Sequence, residues 1–360
     1  MNKVHLSVAV LASALAFGAQ AEPPSMEELW QIIQKQQQEI QRLKEKLEST
    51  EAKVEETEQK VEATGEMLEE AKPSAPAWTE KTSVGSYGEI TYNNYREDDR
   101  DDVLDLKRFV LFLGYRFNER IRFQSELEVE HAFVEGGEES GEVAMEQAYV
   151  QVGLADRVNL RAGLQLIPLG ILNETHEPTT FYGVERNEVE TRIIPSTWRE
   201  LALGLQGEAL PGLEYNVGIS SSLDASEFKD PSKGIRSMRQ SGFKANANDL
   251  AFYGALNYRG VPGLLLGAGI FTGNTGQDNE AIGDARLTLW DVHGKYRFRD
   301  VELRALYARG TLDDAGNIAF VTGQTAPETF DGWYAEAAYH LWKRGERELV
   351  PFVRYAAYNT

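Results

Sequence analysis

The sequence predicts an all-β transmembrane protein: an antiparallel up-and-down outer-membrane β-barrel, sixteen-stranded when whole with about thirteen strands present, preceded by an α-helical coiled coil. Three observations predict it. Apolar and polar side chains alternate in stretches from residue 83 onward, short and long connections alternate between those stretches, and a seven-residue apolar repeat precedes them. Composition narrows the field further. The 360 residues carry 57 acidic against 37 basic side chains, a net charge of −20, and no cysteine. Nucleic-acid partners need clustered Lys and Arg to neutralise phosphates, so none is expected. Disulfides, Cys-ligated zinc and thiol catalysis are excluded together. A mean hydropathy of −0.43 excludes a bundle of membrane-spanning helices.

Residues 1–21 have the anatomy of a secretory signal peptide. Lys3 supplies a charged start, Leu6 to Gly18 a short apolar run, and Ala19-Gln20-Ala21 a small-x-small cleavage site, which puts the mature N-terminus at Glu22. The run is too short to span a bilayer. Residues 22–72 read as a periplasmic coiled coil. Met26, Ile33, Ile40, Leu47, Val54, Val61 and Leu68 recur every seven residues, and strict heptads draw helices into a left-handed supercoil. The intervening seam positions are Leu29, Gln36, Leu43, Thr50, Thr57 and Thr64, so the seam turns polar after Leu43. At about 1.5 Å per residue the helix reaches roughly 60–70 Å. Residues 73–82 begin Pro73-Ser-Ala-Pro76 and form a stiff linker.

From residue 83 to 360 the two-residue period dominates. In 120–131 Ile121, Phe123, Leu127 and Val129 share one face, and Arg122, Gln124, Glu126, Glu128 and Glu130 the other. Twelve further stretches read the same way: 83–94, 105–117, 143–154, 157–166, 199–209, 213–222, 248–259, 264–272, 284–298, 301–310, 330–342 and 347–358. Most are about ten residues, the length with which a tilted strand crosses a bilayer. Tight turns such as Asn118-Glu119, Ala155-Asp156 and Arg299-Asp300 alternate with polar loops at 95–104, 132–142, 167–198, 223–247, 273–283 and 311–329. A soluble sandwich has no need of that alternation, and no fixed repeat supports a solenoid. Bacterial single-chain barrels are even-stranded. A count of thirteen, with no terminal aromatic, therefore means either that the count is off by one or that the chain is truncated; truncation, with three further strands to follow residue 360, is the favoured expectation.

One stretch carries a family resemblance. Leu160-Arg-Ala-Gly-Leu-Gln-Leu-Ile-Pro-Leu-Gly170 resembles the R-x-G-x-x-x-x-P-x-G strand end that opens the third loop of the phosphate-selective porin O and P family. Glu146-Gln-Ala-Tyr-Val150, Phe181-Tyr-Gly-Val-Glu-Arg186, Ile194-Pro-Ser196 and Glu200-Leu-Ala-Leu-Gly204 are similar to its neighbouring segments. The resemblance implies a sixteen-stranded homotrimeric barrel whose third loop folds into the lumen as a constriction. It also implies anions, phosphate among them, as solutes. Some relatives place a periplasmic coiled coil before the barrel, as residues 26–70 do here. The charge balance of the barrel portion, 42 acidic against 28 basic residues, departs from what phosphate selectivity would lead one to expect.

Parity assigns the pore lining. With apolar residues facing lipid, Arg108, Arg116, Arg122, Arg161, Lys295, Arg297, Arg304 and Arg354 point inward, with Glu126, Glu128, Glu130, Glu200, Asp291, Glu302 and Glu336. Arg108, Arg122 and Arg161 lie on neighbouring strands and are placed to form a basic ladder. Loop 167–198 adds Glu174, His176, Glu177, Glu185, Arg186, Glu188, Glu190 and Arg192. Opposed charges across a narrow aperture sort solutes by charge. The candidate selectivity set is therefore Arg108, Arg122, Arg161, Arg186, Arg192, Lys295, Arg297, Glu126, Glu128, Glu185 and Glu188. No H-x-x-x-H, G-x-S-x-G or phosphate-binding loop occurs, so neither enzyme nor cofactor is expected, and a lone loop histidine reads as polar surface. The expected function is passive diffusion of small hydrophilic solutes or anions across a bacterial outer membrane, in contact with its lipid and lipopolysaccharide. The alternative is structural: a barrel anchoring a coil that reaches toward the cell wall.

Overall fold

The computed structural model describes residues 26–27, 30, 34–35, 37–47, 49, 53–55, 78–96, 101–131 and 142–360. The chain divides into two units, residues 1–75 and 76–360. The signal segment 1–21 and residues 73–77 of the linker lie outside the described residues. In the first unit every described residue is helical, with residues 37–47 the longest continuous stretch. Ile40, Leu43 and Leu47 stand exposed along it.

The second unit is one antiparallel meander. Its strands are β1 (Thr82–Asn93), β2 (Val103–Arg116), β3 (Ile121–Glu130), β4 (Val143–Ala155), β5 (Val158–Leu166), β6 (Arg199–Leu210), β7 (Leu213–Ser221), β8 (Leu250–Tyr258), β9 (Leu264–Gly273), β10 (Leu287–Phe298), β11 (Val301–Leu312), β12 (Thr329–Tyr339) and, after a small hairpin of β13 (Trp342–Arg344) and β14 (Arg347–Leu349), β15 (Phe352–Asn359). Thirteen strands pair in sequence order from β1 to β12 and then β15, the number expected from the alternation. Among the described residues β1 and β15 do not pair.

The two faces of this sheet invert the pattern of a soluble protein. Leu201, Leu203, Leu266, Ile270, Trp290, Val292, Leu303 and Trp333 are exposed on the outer face. Glu200, Asp291, His293, Glu302, Arg304 and Glu336 are buried on the inner one. Side chains of opposite character alternate because successive Cβ atoms point to opposite faces.

Two expected strands end earlier than their alternation. Those read over 330–342 and 347–358 stop at Tyr339 and resume at Phe352, with the β13–β14 hairpin between. Pro351 explains the break. It has no N–H to give the ladder, although its carbonyl still accepts the Tyr339 N–H at 3.0 Å.

Bulges matter more than ends. Glu89 faces Arg108 while Ile90 faces Leu106, so Lys107 is an extra residue in β2. Glu126 faces Gln147 while Leu127 faces Met145, so Glu146 is an extra residue in β4. A bulge re-aims the side chain it inserts, and both inserted residues belong to the site described below.

The inner face holds an apolar core that the loops supply. Ile167, Leu169, Val189, Ile193 and Trp198 come from the segment after β5, and Leu223, Phe228, Ile235 and Met238 from the segment after β7. They pack with Phe271, Leu289, Leu306 and Phe330 of β9 to β12. The 223–247 loop, expected to be polar and solvated, thus folds inward with its apolar side chains buried. Near the entry to this core Gly163 of β5 has φ +134°, and a Cβ there would stand 2.3 Å from the Ala148 carbonyl oxygen. Gly163→Ala is expected to cost about 1–3 kcal/mol of strain and to lower the temperature at which the folded species is lost on SDS gels. An unchanged transition would show that the β4–β5 pairing can yield.

Candidate functional site

The segment 167–198 leaves β5 at Pro168, which cannot continue the ladder, and Asn173 ties its base shut. The Asn173 amide donates to the carbonyls of Ile167 at 2.7 Å and Trp198 at 2.9 Å, and its Oδ1 accepts the Trp198 N–H at 2.7 Å. From this base the segment reaches the sheet on two sides. On one, His176 Nε2 lies 2.8 Å from Glu146 of β4, and Lys107 of β2 is paired with Glu185 at 2.8 Å. On the other, Asp291 of β10 accepts the Gly170 N–H at 3.1 Å, Arg304 of β11 donates to the Thr180 carbonyl at 2.7 Å, and Arg354 of β15 donates to the Tyr182 carbonyl at 2.7 Å. Strands far apart in the sheet order thus touch one segment, which packs on the inner face against both the early and the late strands of the meander.

Glu190 is the central anchor. It is fully buried and accepts the N–H groups of Ile171 at 2.8 Å and Leu172 at 2.6 Å, with the Tyr334 hydroxyl of β12 at 2.7 Å. Burial pushes the carboxyl up from its ordinary value against these hydrogen bonds. His176 is buried too, at 1% exposure, which corrects the expectation of a polar surface histidine. Burial works against its charge, but the Glu126 and Glu146 carboxylates outweigh it and push the imidazole up to about 9.

Between this segment, β1, β2 and the 3-10 stretch Pro231–Met238 lies a cavity of about 510 Å³. Its cations are Lys107, Arg108, Arg186, Arg192, Lys233 and Arg236; its acids are Glu89, Glu185 and Glu188. Several of these charges are already neutralised. Arg108 lies 2.8 Å from Glu89 and 2.7 Å from Glu128, and Arg192 is paired with Glu188. Two are different. Arg186 donates to Thr197 Oγ1 at 3.1 Å and to the His176 carbonyl at 3.0 Å, and Arg236 donates to the Ser196 carbonyl. Among the described residues neither forms an ion pair with a carboxylate. Burial, and then the neighbouring Arg108 charge for Arg186 and the Arg186 charge for Arg236, lower both from the ordinary guanidinium value.

The remaining predicted residues fall into two groups. Arg108, Arg122 and Arg161 do not form one ladder, because Arg108 stands opposite Glu89 and Glu130 within an acidic surround. The cross-strand row runs instead from Arg116 to Arg122, Gln151 and Arg161. The Gln151 carbonyl oxygen is the shared acceptor, 2.9 Å from Arg122 and 3.3 Å from Arg161. Opposite, Lys295 lies 3.3 Å from Glu302, Arg304 spans Glu302 and Glu336, and Arg354 pairs with Glu336 at 2.6 Å, while Arg297 stands exposed across from Glu302. Glu126 joins His176 at 3.5 Å. Lys107, Glu146 and Arg236 were not singled out from the sequence. The first two sit at bulges that break the parity used to assign faces, and the third lies in a loop whose inward fold has no local signature.

No family model matches the chain. A protein of Aquifex aeolicus (strain VF5), described as "Uncharacterized protein", is 37% identical over 292 residues, 77% of this chain and 66% of that protein, so the chain spans just under two thirds of its length. Among solved structures, the outer-membrane expressed OmpT of Vibrio cholerae is similar at 14% identity and a TM-score of 0.46, over 78% of this chain and 77% of that one. The outer membrane channel DcaP of Acinetobacter baumannii is similar at 15% identity and a TM-score of 0.42, over 78% and 92%. The anion-selective porin from Comamonas acidovorans is similar at 13% identity and a TM-score of 0.47, over 77% and 79%.

Proposed function

We propose that the chain forms an outer-membrane β-barrel channel for passive diffusion of small hydrophilic solutes, with a preference for anions, in which segment 167–198 narrows the path. The observation that carries this reading is the bonding of that one segment to β2 and β4 on one side and to β10, β11, β12 and β15 on the other. The apolar outer face suits lipid, where a closed sheet is the one sheet architecture with no unpaired edge. Lipid and lipopolysaccharide are then its surroundings. The preference for anions rests on Arg186 and Arg236, the cavity cations without a carboxylate partner among the described residues. Residues 1–21 would direct export, and the heptad of residues 22–72 would gather three chains in the periplasm, with Ile40, Leu43 and Leu47 on the shared seam.

The test is the reversal potential of the whole chain in a planar bilayer under a KCl gradient, with and without added phosphate. An anion-selective current is expected. A cation-selective or indifferent current removes the anion preference and leaves the channel. No conductance from inserted protein removes the channel and favours a barrel that serves to anchor the coil.

A further inference from the structure

We propose that Glu126, Glu146 and His176 form a binding site for a divalent transition-metal cation of the Zn²⁺ class. The three residues come from β3, the bulge of β4 and the inward segment, and their ligand atoms all lie within 4.8 Å of one another. His176 Nε2 is 2.8 Å from Glu146 Oε2 and 3.5 Å from Glu126 Oε1. Ligands held at about 2.0–2.2 Å from a tetrahedral zinc stand roughly 3.3–3.5 Å from one another, so small side-chain adjustments complete the geometry.

An independent observation points to a missing ligand. Glu126 is 2% exposed, and its Oε1 has no hydrogen-bond partner. Its other oxygen accepts the Gln147 amide at 2.7 Å, and the single proton on His176 Nε2 is directed to Glu146. That leaves Oε1 only the 3.5 Å ion-pair contact with His176 Nε2; a buried carboxylate oxygen without a hydrogen-bond donor is costly, and this one is aimed into the triad. A divalent cation would engage it together with the other two.

The surrounding groups fit that role. Metal-binding imidazoles commonly donate their second N–H to a carbonyl, and His176 Nδ1 lies 3.2 Å from the Asn173 carbonyl oxygen. Gln147 holds Glu126, and Arg199 lies 3.4 Å from the second oxygen of Glu146. One imidazole with two carboxylates suits zinc or its borderline neighbours over magnesium and calcium, which take oxygen ligands alone. His176 also borders the 510 Å³ cavity, which supplies a route of entry. Bound there, the cation would displace the imidazole proton and staple the inward segment to the wall.

The experiment uses the whole chain, without a histidine tag, folded in detergent and stripped with chelator. After dialysis against Zn²⁺ with excess Mg²⁺, one zinc per chain is expected. Glu126→Gln, which keeps the side-chain volume and a partner for Gln147, should weaken Zn²⁺ binding by at least about tenfold, and His176→Ala likewise. Co²⁺ bound to the unaltered protein should give the visible spectrum of a low-coordinate nitrogen and oxygen site, a readout that holds even if a variant fails to fold. Equal zinc uptake by the folded Glu126→Gln variant, displacement of zinc by Mg²⁺, or a hexa-aquo-like cobalt spectrum would each overturn the assignment. None of these outcomes depends on whether the chain conducts.

Discussion

Glu190→Ala is expected to raise single-channel conductance and to expose residues 167–198 to protease while leaving the sheet folded. The Glu190 carboxylate takes the N–H groups of Ile171 and Leu172 and the hydroxyl of Tyr334, all in a fully buried position. Alanine leaves those donors unsatisfied. At about 1–3 kcal/mol for each buried donor, the docked arrangement loses about 3 kcal/mol or more, a shift of more than roughly a hundredfold toward the released segment. The strands lose little, because their ladders do not pass through this residue. Tyr334→Phe removes one bond of the three and should give a smaller rise in the same direction. Conductance and protease resistance equal to those of the parent would show that the apolar contacts of Ile167, Val189, Ile193 and Trp198 hold the segment without the carboxylate.

The strands were legible because the two faces of the sheet carry opposite chemistry on alternate residues, and a period of two survives in one dimension. In Leu303, Arg304, Ala305 and Leu306 the inner and outer positions are visible from hydropathy, apart from the apolar Leu306, which faces the inner core. What parity cannot carry is an inserted residue. Lys107 and Arg108 are neighbours in sequence and by a strict period of two should face opposite ways. The bulge lets both reach Glu89, at 3.8 and 2.8 Å. Glu146 escapes parity for the same reason. The turn at 342–347 shows a second limit: the alternation continues through Pro351, whose missing N–H interrupts the ladder although its carbonyl and that of Leu349 still accept hydrogen bonds.

The site was less legible because its bonds join residues far apart in sequence. Arg354 donates to Tyr182, 172 positions away, and Tyr334 to Glu190, 144 away. A scan for two histidines one helical turn apart finds nothing here, since Glu126, Glu146 and His176 come from two strands and a loop. The inward fold of 223–247 has a related cause. Phe228, Ile235 and Met238 have helical spacing, but over so short a stretch, among charged and small residues, that a polar loop is the natural reading until the partners in β9 to β12 are known.

Arg186→Gln combined with Arg236→Gln should turn the permeability ratio toward cations, and the size of the effect follows from how these two charges differ from the rest. The other cations of the cavity are already matched: Lys107 by Glu185, Arg108 by Glu89 and Glu128, Arg192 by Glu188, Lys233 by Asp230. A matched pair presents a passing ion with little net field beyond its own length. Arg186 and Arg236 instead donate to a hydroxyl and to carbonyls, so their charge stays available to the cavity. A unit charge about 6 Å from a permeating anion, at an effective permittivity of about 40, contributes about 1.4 kcal/mol, which is about tenfold in permeability for each charge removed. Glutamine retains an amide donor toward the same oxygens, so the loop should stay docked, as protease resistance would report. The shift should be largest at low ionic strength and nearly vanish in 1 M KCl, where the Debye length falls to about 3 Å. A permeability ratio unchanged at low salt, with the loop still docked, would place the charge filter elsewhere, and the row of Arg116, Arg122 and Arg161 around Gln151 would be the next place to look.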